Sequence, residues 1–218
     1  MKIDGQKYKI IDTAGIRRRG KIEKEIEKFS ITRTIKAIKE SEIVILILDA
    51  SEGVTNQDTH IAGMAKDMGK SIIILINKID IFDSLNEEKQ LEKKAEIINI
   101  LQKNFAFLPY VPIIFTSGVN QTNIKKIFIE AKKISQQREI FIEKSEAKKI
   151  AEEAKINNQQ FPNYQAFYQE RANPPIFKLV VKNKKRVHFS HLRYLENFIR
   201  NYYPFRGTPI FIDVIEKN

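Results

Sequence analysis

The sequence predicts an α/β fold, a parallel sheet with helices on both faces, followed by a small α+β domain. Short apolar runs alternate with amphipathic segments from residue 7 to residue 137. Two polar motifs, Asp12-Thr13-Ala14-Gly15 and Asn77-Lys78-Ile79-Asp80, each directly follow a predicted strand. Ligands bind at this end of the strands in open α/β sheets. Beyond about residue 139 the pattern changes to α-β-β-α-β.

The first pattern predicts four isoleucine-rich strands, which we expect to be buried, over residues 7–11, 43–49, 72–76 and 112–116. Amphipathic spacing predicts four helices over about 22–40, 57–68, 87–104 and 122–137. Gly69 is a stop signal for the second helix, and Thr122 or Asn123 is a cap for the fourth. Alternating strands and helices of this kind form a parallel sheet.

The C-terminal pattern predicts helices over 145–157 and 190–203, the second capped by Ser190. It also predicts strands over 164–170, 176–182 and 210–215, with a basic turn at 183–186. We therefore expect two domains, 1–138 and 139–218.

Composition limits the classes of protein. The 218 residues carry a net charge of +11, and residues 139–218 hold 14 basic and 9 acidic residues, which is compatible with a nucleic-acid partner. Cysteine is absent, so disulfides and cysteine-based metal sites are excluded. No apolar run approaches the ~18 residues that span a bilayer. We expect a cytoplasmic protein with no membrane partner.

Asn77-Lys78-Ile79-Asp80 is typical of a guanine-binding motif. Asp80 offers two acceptor oxygens, which match the N1–H and N2–H donors of guanine, whereas adenine presents a ring acceptor at that edge. Asn77 can connect the loop to neighbouring strands, and the Lys78 stem can lie along the base. The alternative is a chance match in a chain rich in lysine and isoleucine.

Asp12 and Gly15 favour a nucleotide-binding site over a chance match of the guanine motif. An Asp at a strand end can hold Mg²⁺ through water, as it does in P-loop nucleotide hydrolases. Gly15 lets the backbone approach a γ-phosphate. The turn at Thr116-Ser117-Gly118 follows the fourth strand and can bring N–H groups of Ser117 and Gly118 to the guanine O6. Both motifs in this order predict a guanine-nucleotide fold.

A phosphate loop is missing from this set. Residues 15–22, Gly-Ile-Arg-Arg-Arg-Gly-Lys-Ile, nearly match G-x-x-x-x-G-K-[ST], but Ile22 has no hydroxyl for Mg²⁺ and three arginines crowd the loop. We therefore expect the downstream part of a GTPase domain, without phosphate loop and switch I. The sequence leaves open a truncated gene model or a short protein.

The motifs together resemble a known family. The stretch from Asp12 to Lys21, DTAGIRRRGK, resembles the second GTPase domain of the Der (EngA) family of bacterial ribosome-biogenesis GTPases. So do Leu48-Asp49-Ala50-Ser51-Glu52-Gly53 and the guanine motif. Asn173-Pro174-Pro175-Ile176-Phe177 and Gly207-Thr208-Pro209-Ile210 resemble its C-terminal KH-like domain.

This resemblance implies GTP hydrolysis coupled to assembly of the large ribosomal subunit, with GTP/GDP, Mg²⁺ and rRNA as ligands and partners. K⁺ is a further possible cofactor by resemblance. Thr13, Ala14 and Ile16 fall in the switch loop. Ile16 occupies the place where many GTPases carry a water-orienting Gln, and no catalytic residue is assigned. Gly118 replaces a more usual Ala.

The C-terminal domain departs from an RNA-binding KH domain. Gly207 is the only glycine after Gly118, so the G-x-x-G loop that clamps a phosphate backbone cannot exist here. The densest basic cluster comprises Lys182, Lys184, Lys185 and Arg186. It is either an RNA or partner contact or a solvated turn. His188 and His191 lack a third ligand nearby, so zinc is disfavoured against surface or capping roles.

Two hypotheses follow. The chain is part of a GTP-hydrolysing ribosome-biogenesis factor, or it is a non-catalytic rRNA- or protein-binding fragment with little or no affinity for nucleotide. An ATP-using enzyme is a third possibility, against which Asp80 argues.

Overall fold

The computed structural model describes residues 1–3, 5–12 and 24–217. These residues form two compact units, 1–107 with 113–129 and 108–112 with 130–218. The boundary predicted at residue 138 stays a prediction. No helix among the described residues is long and apolar enough to cross a membrane.

The first unit is an α/β structure. Its elements in chain order are β1 (Lys2–Ile3), β2 (Gln6–Lys7), α1 (Lys24–Glu40), β3 (Ile43–Asp49), α2 (Asn56–Asp67), β4 (Ser71–Asn77), a 3₁₀ turn (Ile79–Phe82), α3 (Glu87–Asn104), β5 (Ile113–Phe115) and the start of α4 (Ile124–Arg138). Strands β3, β4 and β5 form a parallel sheet in that order. The predicted α/β fold class is confirmed.

The middle strand forms the centre of this core. Every residue from Ser71 to Ile76 is buried, because β4 has a strand on each side and helices flank the sheet. Strand β3 differs from the fully buried strand that we predicted. Leu46 and Leu48 are buried, but Ile45 and Ile47 are 43 % and 58 % exposed. Among the described strands β3 lies at the sheet edge, where one face is less covered.

Local signals fix the ends of α2. Thr55 and Asp58 form a reciprocal cap, in which the Asp58 carboxylate accepts from the Thr55 N–H at 2.8 Å and Oγ1 at 2.7 Å. After the helix, Gly69 adopts a φ of 70° and its N–H donates to the Lys66 carbonyl at 2.8 Å, as the stop signal predicts.

The predicted strand over 7–11 is wrong. Only Gln6–Lys7 pairs, with Lys2–Ile3 in an antiparallel ladder, and residues 8–12 have no regular structure. Beyond this ladder, the Tyr8 N–H donates to the Met1 carbonyl at 2.9 Å, and the Tyr8 ring packs edge-on against Phe128 at 5.4 Å. A strand needs a hydrogen-bonded neighbour, and none of the described strands lies beside residues 8–12.

The second unit contains α5 (Lys144–Asn157), β6 (Ala166–Arg171), β7 (Ile176–Val181), a 3₁₀ turn (Lys184–Arg186), α6 (Phe189–Tyr202) and β8 (Phe211–Glu216). The sheet order is β6-β7-β8, antiparallel and then parallel. The predicted α-β-β-α-β order is confirmed. The Phe167 and Phe177 rings stack at 5.3 Å and are buried in the core of this unit.

Two interactions define α6. The helix begins at Phe189, and the His188 N–H donates to the ring Nδ1 of His191 at 3.1 Å, so the predicted Ser190 cap is wrong. The His191 ring accepts from the backbone N–H of the residue that precedes the helix, whereas a capping Ser190 hydroxyl would accept from an N–H further along the helix. Near the helix end the Arg200 side chain, 10 % exposed, donates to Glu196 at 2.8 Å and to the carbonyls of residues 204, 205 and 208. Its guanidinium also lies 3.8 Å from the Tyr110 ring.

Candidate functional site at the carboxyl ends of the parallel strands

The candidate site lies where β4 and β5 end. Apolar pairing holds the two strands in parallel, with Ile76 opposite Phe115, so the polar residues that follow them emerge at one edge. After β4, Lys78 turns the chain with a φ of 65°, and the 3₁₀ turn Ile79–Phe82 follows. The N–H of Ile79 donates to the Thr116 carbonyl at 3.2 Å. The two loops are therefore joined through their backbones.

Asn77 connects the same loops through its side chain. Its Oδ1 accepts from the Gly118 N–H and from the Thr116 hydroxyl, both at 3.2 Å. This is the role predicted for Asn77. The Gly118 N–H, which the sequence suggested for a guanine O6, bonds to Asn77 in this structure.

Asp80 is oriented by the turn after β5. The fully buried Ser117 hydroxyl donates to Asp80 Oδ1 at 2.5 Å and accepts from the Asn120 N–H at 3.1 Å. A second contact lies beyond it, since the Asn120 amide donates to Asp83 at 2.9 Å. Asp80 Oδ1 is thus fixed by the protein, and the half-buried carboxylate can accept further hydrogen bonds.

Lys78 forms an ion pair that the sequence did not predict. Its Nζ lies 2.7 Å from Asp49 Oδ2. Ser51 donates to the other oxygen of Asp49, from its N–H at 2.8 Å and its hydroxyl at 2.6 Å. Burial raises the pKa of the Asp49 carboxyl, but the hydrogen bonds from Lys78 and Ser51 outweigh burial and lower it to about 2. Asp49 is therefore ionised at neutral pH.

A signal for Asp49 was present in the sequence. The predicted strand over 43–49 ends in Asp49, and Asn77 directly follows the strand over 72–76, so in a parallel sheet both polar residues lie at the carboxyl ends of the strands. The structure pairs Asp49 with Asn77 in register. Five predicted residues thus come together with Asp49 in one site, namely Asn77, Lys78, Asp80, Ser117 and Gly118.

The predicted phosphate-side residues are not brought to this group by the described structure. Asp12 is exposed and lies in a segment without regular structure. Thr13, Ala14, Gly15, Ile16 and the arginines at 17–19 lie outside the described residues. Within the described ranges no cluster of three or more His, Asp or Glu side chains could hold a metal. Asp12 fits Mg²⁺ as one ligand, since this ion takes one or two carboxylates with phosphates and waters.

The predicted basic cluster lies in the second unit. Lys182, Lys184, Lys185 and Arg186 are all exposed. Asn183 fixes their backbone, because its Oδ1 accepts from the Lys185 N–H at 2.9 Å and its carbonyl from the Arg186 N–H at 3.2 Å. Phe189 follows at the start of α6 and is 74 % exposed. The cluster lies on a hydrogen-bonded turn that presents cations close in sequence to an exposed ring.

A separate cleft of about 620 Å³ lies between α2 and the end of α3, with His60, Met64 and Phe107 among its walls. None of the predicted site residues lines it. Its lining combines amide, hydroxyl and apolar groups with the His60 imidazole, the Asp67 carboxylate and the Lys103 ammonium, and we assign no chemistry to it.

Comparison with known proteins gives matches over both units. The elongation factor Tu GTP binding domain matches residues 1–143, and the KH-domain-like family of EngA bacterial GTPase enzymes, C-terminal, matches residues 142–214. GTPase Der of Alkaliphilus oremlandii is 39 % identical over 217 residues, 97 % of this chain and 48 % of the relative. GTPase Der of Alkaliphilus metalliredigens is 37 % identical, over 99 % of this chain and 49 % of the relative. The chain spans about half the length of these relatives.

Among solved structures, Aquifex aeolicus Era bound to GDP.AlF4- has a TM-score of 0.44 and 17 % sequence identity. That alignment covers 94 % of this chain and 75 % of Era.

Proposed function

Over residues 1–143 the chain belongs to the family of the elongation factor Tu GTP binding domain, and we propose that it binds GTP and GDP. The proposed site lies at the carboxyl ends of β4 and β5. The resemblance to the Der (EngA) family is confirmed by relatives named GTPase Der and by the KH-like match. For the protein in full, we propose GTP hydrolysis in assembly of the large ribosomal subunit, in the cytoplasm. Residues 1–138 are the nucleotide domain and 139–218 the KH-like domain in this proposal.

One observation supports guanine recognition above the others. Asp80 is held by the buried Ser117 hydroxyl at 2.5 Å, and Asn77 is held by Thr116 and Gly118 at 3.2 Å. A carboxylate fixed in this way presents acceptors where guanine has two N–H donors. Adenine has no such donors and leaves the Asp80 carboxylate unpaired. A site that leaves a polar group unpaired can discriminate against the wrong ligand by a factor of roughly 10⁴ to 10⁵.

The phosphate side of the proposal depends on other residues. Asp12 holds Mg²⁺ through water, Gly15 allows the γ-phosphate to approach, and Thr13, Ala14 and Ile16 belong to the switch loop. Bound Mg²⁺ neutralises charge on the β- and γ-phosphates. K⁺ is part of the proposal by family resemblance. The sequence has no G-x-x-x-x-G-K-[ST] segment, so we assign no hydrolytic residue in this chain.

The test is a titration of the 218-residue chain with fluorescently labelled GTP and Mg²⁺, with GDP, GMP and ATP as competitors. We expect GDP to compete and ATP to fail at the same concentration. Equal competition by ATP and GDP contradicts guanine recognition. If labelled GTP does not bind, the result favours the non-catalytic hypothesis for this chain.

A second candidate function has support in the C-terminal unit. Residues 171–195 contain seven basic and no acidic residues. Within the described part of the chain, Lys182, Lys184, Lys185 and Arg186 form no ion pair with a side chain. Cations on a hydrogen-bonded turn close in sequence to the exposed Phe189 suit single-stranded nucleic acid, which combines phosphates with bases that stack on aromatic rings. We propose that this turn contacts rRNA.

Salt dependence tests the second candidate. Neutralising Lys184, Lys185 and Arg186 to Gln should reduce the slope of log K against log salt for labelled single-stranded RNA by about 0.7 for each lost phosphate contact. A matched control replaces Lys125, Lys126 and Lys132, exposed lysines of α4, by Gln. Equal slopes for the two triple variants contradict an RNA contact at the turn. If the turn variant keeps its affinity for RNA but no longer captures a ribosomal protein, the partner of the turn is a protein.

A further inference from the structure

Asp49 belongs to neither predicted motif, yet its carboxylate lies in the candidate site. We propose that Asp49 is a positioning residue for the base: it holds the Lys78 ammonium, so that the Lys78 stem forms a fixed platform against one face of guanine. This inference depends on the proposed binding of guanine nucleotides. It assigns a task that Asp80, at the edge of the base, does not perform.

The two oxygens of Asp49 have different partners. Oδ1 accepts both hydrogen bonds from Ser51, at 2.8 and 2.6 Å, and this fixes the carboxylate. Oδ2 faces the Lys78 ammonium at 2.7 Å. The Asp49 side chain is 13 % exposed, whereas that of Lys78 is 60 % exposed. The Asp49 carboxylate is therefore largely buried, whereas the Lys78 side chain that it holds remains accessible to a ligand.

The backbone places these two residues in a fixed relation. Asp49 and Asn77 are partners in the parallel ladder, and the Ala50 N–H donates to the Asn77 carbonyl at 2.9 Å. Lys78 then adopts the left-handed conformation, with φ 65° and ψ 35°. This turn starts the Lys78 side chain at the sheet edge, and the ion pair fixes its far end at Asp49.

The consequence is a preorganised side chain. A free lysine stem samples many rotamers, and ordering it when a ligand binds lowers affinity. An ion pair formed before binding removes part of that cost. The Lys78 side chain is 60 % exposed, and water screens an ion pair of this kind, so loss of the Lys78 ammonium should affect nucleotide affinity more than stability.

A double-mutant cycle tests the inference on the 218-residue chain. GDP affinity, in Mg²⁺, is measured by calorimetry for wild type, Asp49→Asn, Lys78→Met and the double variant. We expect each single variant to bind GDP about tenfold more weakly, and the double variant to be no weaker than Lys78→Met. The preference for GDP over ADP should persist in Asp49→Asn. The matched control Asp67→Asn, an exposed Asp at the end of α2, should bind GDP as wild type does.

The outcomes separate this inference from the proposed function. If wild type binds GDP and Asp49→Asn binds it equally well, the positioning role is refuted and guanine binding is not. Independent, multiplicative losses in the double variant also refute it, because they show that Asp49 acts without Lys78. If wild type binds no guanine nucleotide, the proposed function and this inference both fail.

Discussion

Replacement of Ser117 by Ala tests the connection between the two loops of the site. The Ser117 side chain is fully buried, and it donates to Asp80 at 2.5 Å and accepts from the Asn120 N–H at 3.1 Å. Hydrogen bonds to charged groups contribute about 1.5–3 kcal/mol, and the variant leaves the Asn120 N–H without this acceptor. We therefore expect the free energy of unfolding to fall by about 1.5–3 kcal/mol.

Nucleotide affinity should fall as well, because Asp80 loses the contact that orients it before the ligand binds. A tenfold rise in the Kd for GDP corresponds to about 1.4 kcal/mol and is the effect that we expect. Urea unfolding followed by circular dichroism measures stability, and calorimetry measures the Kd. The control is Ser84→Ala, which alters an exposed serine and should change stability by less than about 0.5 kcal/mol. If the two variants have equal stabilities and wild-type GDP affinity, then Ser117 neither stabilises the turn nor orients Asp80.

Three further predictions concern stability and charge. Arg200→Met leaves Glu196 and three carbonyl oxygens without their donor, so it should lower the free energy of unfolding in urea by about 3–5 kcal/mol. The control Arg206→Met breaks a half-exposed ion pair and should cost less than about 1 kcal/mol. Equal losses in the two variants would contradict the contacts described for Arg200. Gly118→Ala should stabilise by about 0.4–1 kcal/mol in the same assay, because its φ is not positive and a Cβ meets no atom within 4 Å, and a destabilised variant would show that the turn is strained. The pKa of Asp49 is lowered from 3.8 to about 2 on folding, so its contribution to stability is present above pH 4 and is lost as pH falls toward 2; carboxyl ¹³C NMR should find this low pKa in wild type and a value nearer 3.8 in Lys78→Met, and an unchanged pKa in that variant would contradict the ion pair.

Much of the site was predictable because parallel strands bring their carboxyl ends to one edge. The apolar run before Asn77 and the one before Thr116 each defined a strand, and the polar residues after them had to meet. The α-β-β-α-β order of the second unit followed from periodicity in the same way. Residue chemistry then predicted the roles of Asn77 and Asp80 in connecting and presenting polar groups.

The remaining features depend on contacts that a linear pattern does not encode. The Asp49–Lys78 pair requires the register between β3 and β4, and the partial exposure of Ile45 and Ile47 requires the order of the strands. At the start of α6 the His188 N–H donates to the ring of His191, three residues later, and the predicted Ser190 cap does not include this contact. The strand predicted at 7–11 had suitable residues, but a strand also needs a paired neighbour.

Base selectivity at Asp80 is the most direct test of the account. Asp80→Asn replaces an acceptor oxygen with an amide donor, which suits the C2 carbonyl of xanthine and not the N2 amino group of guanine. Competition assays on the 218-residue chain should show that wild type prefers GDP over XDP and that Asp80→Asn prefers XDP. If the variant retains wild-type preference, or if both proteins bind ADP as tightly as GDP, then Asp80 does not recognise the base.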